Sequence, residues 1–217
     1  MKTLKVTKLE HISDQPPMEE ISDLLDGLNV RNRIGELNWR GNDYCPEAGF
    51  SIACTQLEIL LKYYVRETWF KAEKTETNQE VYEDSCVEFF VSPSGDGIYY
   101  NFEFNAIGTC LLGAGTGRRD RKRADPSVIA EIRRLASAGN RPVSESEGDF
   151  KWTLTLAIPF STLFCHEVDV RKGSIFRANF YKCGDKLTVP HYLTWNAVGA
   201  ENPDFHRPEF FGSIEFA

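Results

Sequence analysis

The sequence predicts an all-β domain, an antiparallel two-sheet β-sandwich of jelly-roll or immunoglobulin-like type with one or two short helices. Aromatic residues are plentiful, with 15 Phe, 8 Tyr and 4 Trp, and such a bias favours sheets. Short segments of alternating apolar and polar residues recur along the chain, with turn residues between them. The 217 residues, 41% of them hydrophobic, suffice for one sizeable core and contain no linker. We therefore expect residues 1–217 to form a single domain.

Segment 1–38 is predicted to be an N-terminal extension that contains a short helix. In PPMEEISDLLDGL (16–28), acidic residues occupy the first turn and a glycine lies near the end. Apolar residues recur at helical spacing, namely Ile21, Leu24, Leu25 and Leu28.

The first predicted strands lie near 49–54 and 57–66. VYEDSCVEFFVSP then contains a strand that ends at Ser92-Pro93, and the GDG turn at 95–97 leads into YYNFEFNAIGT. Because so short a connection joins the CVEF and NFEF segments, they are predicted to form an antiparallel hairpin.

A helix is predicted within TGRRDRKRADPSVIAEIRRLAS (116–137). Asp125 suits the N-cap and Pro126 the first helical position. Apolar residues form a narrow helical stripe, namely Ile129, Ile132 and Leu135. The basic run before this helix is interpreted as a solvated loop rather than a phosphate site, because the protein is acidic overall.

The remaining strands are predicted in KWTLTLAIPF (151–160), SIFRANFYKCGD (174–185), PHYLTWN (190–196) and EFFGSIEFA (209–217). Their apolar residues alternate with polar ones, as expected for strands that bury one face.

The formal charge of −7 argues against a nucleic-acid partner. No apolar run at the start suits a signal peptide, and no segment is long and apolar enough to span a membrane. We therefore expect a soluble, cytoplasmic protein, or a periplasmic or secreted one if a leader has been removed.

The six cysteines are scattered without a CxxC motif, so free thiols are expected. A disulfide stays open as an alternative for an oxidising compartment.

Polar residues line one face of neighbouring predicted strands. The hairpin offers Glu88 on one strand and Asn101, Glu103 and Asn105 on the next, and a later strand offers Arg177. Amides, carboxylates and a guanidinium together suit a ligand rich in hydroxyl groups. The alternative is that Glu103 simply pairs with Arg177 beneath a covering loop.

Five ordered motifs together resemble the bacterial carbohydrate-binding family 9-like proteins, relatives of the family 9 modules attached to xylanases. The resemblance extends from about Trp39 to the C-terminal residue, and its motifs are YEDSCVEFFVSP, YYNFEFNAIGT, NFYKCGD, PHYLTWN and FHRPEFFGSIEF. It implies a two-sheet β-sandwich related to the sugar- and haem-binding DOMON domains. It also implies non-catalytic binding of a terminal sugar between two aromatic rings, in carbohydrate catabolism.

The resemblance further implies which positions bind the sugar. The two rings correspond to Tyr82 and Phe205, with Asn202 near an expected amide. Glu88 matches the glutamate of the first hairpin strand, and Asn105 matches an asparagine of the second.

Glu103 departs from the family pattern, because it stands where the xylanase modules have an arginine. The rings also depart, being Tyr and Phe rather than Trp, which predicts weaker stacking. A different charged group at position 103 predicts a different sugar selectivity.

Two further residues are candidate site residues, namely His206 and Arg207 in FHRPEFFG. They either form a rim of the site or belong to a loop in which Arg207 pairs with Glu209 or Asp204.

Other functions were weighed against binding. Glu88 and Glu103 on adjacent strands are also compatible with a glycoside hydrolase, which needs two carboxylates. The polar face is likewise compatible with a protein-interaction module. Haem would need axial ligands, for which only His191 and His206 are candidates. The xylanase modules bind metal, so the resemblance admits structural calcium, but no ligands are assigned because EF-hand spacing is absent.

Overall fold

The computed structural model describes residues 1–10, 12–13, 15–39, 41 and 43–217. In these ranges the chain forms thirteen strands, two α-helices and three 3-10 turns. The strands and helices are, in chain order, β1 (Thr3–Lys8), α1 (Met18–Gly27), β2 (Asn32–Arg33), β3 (Glu47–Cys54), β4 (Glu58–Ala72), β5 (Cys86–Ser92), β6 (Tyr99–Asn105), β7 (Cys110–Gly115), β8 (Arg121–Arg123), α2 (Pro126–Ala130), β9 (Arg133–Ala136), β10 (Val143–Pro159), β11 (Ile175–Cys183), β12 (Tyr192–Thr194) and β13 (Gly212–Phe216). Neither helix is long and apolar enough to cross a membrane, as far as the described residues go.

Two sheets pack face to face, which confirms the predicted β-sandwich. The first has the order β8-β7-β6-β5-β11-β13-β1, with β12 beside β11, and the second has the order β1-β3-β4-β10-β9, with β2 beside β3. Phe50 of the second sheet stacks on Phe180 of the first, with ring centroids 3.7 Å apart. Tyr63 also crosses the interior, and its hydroxyl donates to the backbone carbonyl of Glu88 at 2.8 Å. The core therefore lies between the sheets.

Strand β1 belongs to both sheets and adds two parallel pairings to the predicted antiparallel sandwich. Its first half pairs in parallel with β13, Thr3 opposite Ser213, and its second half pairs in parallel with β3, Thr7 opposite Ala53. The predicted N-terminal extension 1–38 is thus part of the sandwich. The sequence TLKVTK does not indicate this strand, because only one of its residues, Val6, is fully buried.

Helix α1 lies within the predicted range and packs on the outer face of the second sheet. Its apolar side chains Ile21 and Leu25 contact Ala53, Leu60 and Ala157. The sheet is therefore covered on that side by the face that the helical spacing predicts.

Helix α2 is shorter than predicted. Asp125 caps it, accepting a hydrogen bond from the backbone N–H of Ser127 at 2.9 Å, and Pro126 occupies its first turn as expected. The helix ends at Ala130, and Leu135 lies instead in β9, which pairs with β10. Ladder hydrogen bonds to β10 outweigh the weak helical stripe in this segment.

A buried polar network joins the sheets at one end of the core. Lys182 Nζ lies 2.8 Å from Glu67 Oε2 and 2.8 Å from His191 Nε2, and all three side chains are buried. Trp152 Nε1 donates to Glu67 Oε1 at 2.6 Å. His191 is thus engaged by Lys182 inside the core, whereas His206 lines a cleft on the outer face of the first sheet.

Candidate functional site

An open cleft of about 310 Å³ lies on the outer face of the first sheet. Strands β5 to β8 form its floor. The β7–β8 loop (116–120) and the loop 201–207 form its walls, and they approach each other at Arg118 and Asp204, 3.9 Å apart. Because the inner face of the same strands is filled by the core, this outer face is the one that the polar stripe of the sequence predicts.

The floor carries three buried polar side chains. Glu88 of β5 lies directly opposite Glu103 of β6, and Asn101 is two residues before Glu103 on the same face. They are 3%, 4% and 2% exposed, respectively. Asn101 Nδ2 donates to Glu103 Oε1 at 2.5 Å. In the described part of the chain, Asn101 Oδ1 and Glu103 Oε2 are buried without a hydrogen-bond partner.

Burial changes the ionisation of both floor carboxyl groups. The pKa of Glu88 is raised well above its ordinary value by burial and, next, by the charge of Glu103. Burial raises the pKa of Glu103 to about 7, against the opposing effects of the Asn101 hydrogen bond and of Arg121 and Arg123. Both shifts favour the protonated form of these carboxyl groups, and Glu88 Oε1 accepts from Cys183 Sγ at 3.1 Å.

Arginines form the basic side of the cleft. Arg121 of β8 is largely buried, and burial is the main cause that lowers its pKa. Its Nη1 donates to His206 Nδ1 at 2.8 Å and its Nη2 to Gly113 O at 3.3 Å. A side chain at Gly113 would meet Asn101 Oδ1 at 3.0 Å and Arg121 Nη2 at 3.3 Å. Glycine at this position therefore leaves room for both polar groups on the floor.

The hydrogen bonds of His206 fix its tautomer. Arg121 can only donate, so Nδ1 of His206 is the acceptor and the ring proton is on Nε2. Tyr99 O–H also donates to this Nδ1, at 3.0 Å. Burial and then the charge of Arg121 lower the pKa of His206 to about 3. The ring is consequently a neutral N–H donor at the wall of the cleft.

Aromatic side chains form the remaining apolar lining. Tyr82 lies within the 3-10 turn Val81–Glu83 and is half-buried, and Tyr192 of β12 also lines the cleft. Phe205 is 9% exposed. It stacks on Tyr181, with centroids 4.1 Å apart and planes 11° from parallel. Phe205 is thus held rigidly, with one ring face already covered by Tyr181.

The structure brings five of the nine predicted site residues together in the cleft: Tyr82, Glu88, Glu103, Phe205 and His206. Asn105 lies outside it, although it shares their strand face. Its Nδ2 donates to Lys74 O at 2.8 Å and to Asp84 Oδ2 at 2.9 Å, and its Oδ1 accepts from Thr109 N at 2.9 Å. Its side-chain groups are therefore all engaged, the oxygen with the turn after β6 and the nitrogen with the segment before β5.

Arg177 also lies away from the cleft and does not pair with Glu103. It sits opposite Ser92, whereas Glu88 sits opposite Tyr181, so four residues of β11, about 13 Å, separate Arg177 from the floor. Its guanidinium donates to the backbone carbonyls of the 211–212 segment. Alternation correctly predicts its face but not its position along the strand.

The last two predicted residues belong to the outer part of the loop. Asn202 is exposed and does not line the cleft. Arg207 Nε donates to Glu209 Oε1 at 2.7 Å, and its guanidinium lies over the ring of Phe210. The pairing alternative proposed from the sequence for Arg207 therefore describes its contacts.

Sequence reasoning missed the basic side of the cleft. The run interpreted as a solvated loop contributes Arg118, Arg119, Arg121 and Arg123 to the lining. The alternation in Arg121-Lys122-Arg123 is the signal that could have revealed them, since it places two arginines on one face of a short strand. Asn101 was recognised in the polar stripe without being chosen.

One group of metal-ligating side chains lies close together among the described residues. One ligand atom each of Cys86, Glu88 and Cys183 falls within 4.8 Å of the others. Two thiols form a soft donor set, which does not suit calcium, an ion that takes six to eight oxygen ligands. All six cysteines are free thiols.

Comparisons with known proteins agree on a family. The model of carbohydrate-binding family 9 matches residues 19–216. A crystal structure of a candidate carbohydrate-binding protein from Bacteroides uniformis is 41% identical, with a TM-score of 0.94, over 100% of this chain and 99% of that one. None of the curated proteins matches this sequence.

Two more distant structures show the same fold. Both are family 9 carbohydrate-binding modules from Caldicellulosiruptor kristjanssonii. One, in complex with glucose, is 12% identical with a TM-score of 0.58 over 100% of this chain and 96% of that one. The other, in complex with cellotriose, is 13% identical with a TM-score of 0.58 over 99% and 93%.

Proposed function

The chain belongs to carbohydrate-binding family 9, and we propose that it binds a saccharide, without catalysis, in the cleft on the first sheet. The two modules from Caldicellulosiruptor kristjanssonii solved with glucose and cellotriose are similar to this chain in fold. Support for this position of the ligand therefore comes from the residues of the cleft.

The observation that carries the proposal is the pair of unsatisfied acceptors on the floor, Asn101 Oδ1 and Glu103 Oε2. A buried acceptor without a partner costs about 1–3 kcal/mol, so a ligand that donates hydrogen bonds there recovers this free energy. Sugar hydroxyls both donate and accept. They can donate to these two oxygens and accept from His206 Nε2–H and from the guanidinium of Arg121.

The apolar lining suits the other surface of a sugar. Pyranose rings present C–H groups that pack on aromatic faces, and Tyr82, Tyr192 and Phe205 line the cleft. A volume of about 310 Å³ is at the small end of ligand sites. The enclosed part of the ligand is therefore a short saccharide or the end of a chain.

The arrangement of the carboxyl groups favours binding over hydrolysis. Glycosidases place their two carboxyl groups on either side of the scissile bond. Glu88 and Glu103 are instead cross-strand neighbours on one floor, with Cβ atoms about 5 Å apart. Both would contact the ligand from the same side.

A calorimetric screen of mono- and oligosaccharides at millimolar concentration tests the proposal. For the best ligand, Asn101→Ala should weaken the affinity at least about tenfold, the equivalent of one lost hydrogen bond. Tyr82→Ala should weaken it as well. Asn140→Ala, in an exposed turn, and Tyr64→Ala, on the second sheet, are the matched controls, and circular dichroism verifies folding.

Two results would contradict the proposal. If no saccharide binds, or if both cleft variants bind as tightly as the unmodified protein, the cleft is not the binding site. Release of new reducing ends from the bound saccharide, abolished by Glu88→Gln or Glu103→Gln, would instead establish a hydrolase.

A further inference from the structure

We propose that the saccharide carries an anionic group, a carboxylate or a sulfate ester, and that the arginine side of the cleft binds it. This inference rests on the proposed function and specifies the class of ligand for the same site. It is drawn from the charge and contacts of four arginines: Arg118, Arg119, Arg121 and Arg123.

Arg121 is the central residue of this basic side. Its guanidinium lies against neutral groups, the carbonyl of Gly113, the imidazole of His206 and the face of Tyr99 at 5.1 Å. Arg121 forms no ion pair within 4 Å among the described residues, and the charge of Glu103 on the floor acts on it only from farther away. A largely buried cation without a counter-ion is costly, and an anionic ligand would supply the missing charge.

The neighbouring arginines extend the same positive surface. Arg118 Nη1 lies 3.9 Å from Asp204 Oδ1, which is long for an ion pair, and the Arg118 side chain is 65% exposed. Arg119 and Arg123 form no ion pair within the ranges that the structure covers. Guanidinium groups bind carboxylates and sulfates through two parallel hydrogen bonds, so several of them around one cleft favour such a ligand over a neutral one.

The acidic groups of the cleft leave its arginines open to a further anion, because among the described residues the one ion pair between them is the long contact of Arg118 with Asp204 at 3.9 Å. Glu88 and Glu103 lie on the floor beside Asn101, and Asp185 lies beside Tyr82, to whose backbone carbonyl its N–H donates at 2.9 Å. The arginines occupy β8 and the loop before it. An acidic sugar can therefore direct hydroxyls to the floor and its anionic group to β8, whereas the reverse orientation would place like charges together.

Isothermal calorimetry with matched monosaccharides tests the inference. The probes are glucuronic acid, its methyl ester, glucose and glucose 6-sulfate. We expect at least one anionic probe to bind about tenfold or more tightly than its neutral counterpart. This preference should shrink as the Debye length falls from about 30 Å at 0.01 M salt to about 3 Å at 1 M salt. Comparison of the acid with the sulfate identifies which anionic group is preferred.

Arginine variants connect the preference to the proposed residues. Arg121→Gln should remove most of it, and Arg121→Lys should retain only part, because an ammonium cannot form the two-bond contact. The double variant Arg118→Gln, Arg119→Gln changes only the exposed loop. It therefore tests the inference even if the substitutions of Arg121 prevent folding. Arg171→Gln, 79% exposed and paired with Asp169 elsewhere, is the control.

The possible outcomes are distinguishable. If neutral sugars bind as tightly as anionic ones, the inference is overturned and the proposed function stands. A preference that persists in both Arg121→Gln and the loop variant would also overturn it. If no saccharide of any charge binds, both proposals fail.

Discussion

Replacement of Glu103 by glutamine should stabilise the free protein in a strongly pH-dependent way. Glu103 is 4% exposed, and burial raises its pKa from 4.5 to about 7. Between these two values the folded state retains a proton that the unfolded state releases. Stability therefore falls as the pH rises through this window, by about 1.4 kcal/mol per pH unit.

The rise of the Glu103 pKa from 4.5 to about 7 corresponds to about 3 kcal/mol by pH 8, and Glu103→Gln removes this penalty because the amide does not ionise. At pH 4.5 the variant and the unmodified protein should differ little, since the carboxyl group is protonated in the folded state. At pH 8 the variant should be more stable by up to about 3 kcal/mol.

Urea denaturation at pH 4.5, 6 and 8 measures this difference. Glu201→Gln, in an exposed loop, is the control and should change stability by less than about 0.5 kcal/mol at each pH. A stability difference for Glu103→Gln that is independent of pH would refute the reasoning. The same variant should bind saccharide more weakly, because the carboxylate acceptor on the floor is lost.

Three further outcomes concern packing and the floor of the cleft. Phe180→Ala should cost about 3–5 kcal/mol in denaturant unfolding, because this ring is fully buried, whereas Ile175→Ala on the same strand, 60% exposed, should cost less than about 0.5 kcal/mol. Lys182→Met should cost about 3–5 kcal/mol because it leaves the Glu67 carboxylate buried and unpaired, and adding Glu67→Gln should recover part of that loss; equal stability of the single and double variants would contradict this. Gly113→Ala should weaken saccharide binding with little change in melting temperature, and unaltered affinity would show that the floor tolerates the added methyl group.

The sandwich could be predicted because most of its strands alternate strongly. In Tyr99–Asn105, for example, every second side chain enters the core, so one-dimensional periodicity determines the face. Strand β1 was not predictable in this way. Its stability comes from parallel pairing with Ser213–Phe216 and with Ala53, which are distant in sequence, and not from its own apolar content.

The site was predicted in part for a related reason. Periodicity predicts the outer face that holds Glu88 and Glu103, but it does not specify where along a strand a cleft lies. Asn105 and Arg177 share that face and lie at other levels of the sheet. The basic run was ambiguous because only the β7–β8 hairpin turns Arg121 toward the floor. Tertiary pairing, rather than local pattern, assembles that side of the cleft.

The parallel pairing of β1 with β13 has a mechanical consequence. In a parallel pair, the start of one strand and the end of the other lie at opposite ends of the ladder, with Thr3 opposite Ser213 and Val6 opposite Phe216. A force applied to residue 3 and residue 216 therefore loads all of the ladder hydrogen bonds at once, in shear. Peeling an antiparallel hairpin such as β5–β6 from its open end would break them one at a time. Single-molecule pulling from these two positions should show one high force peak, and gradual extension without such a peak would contradict this geometry.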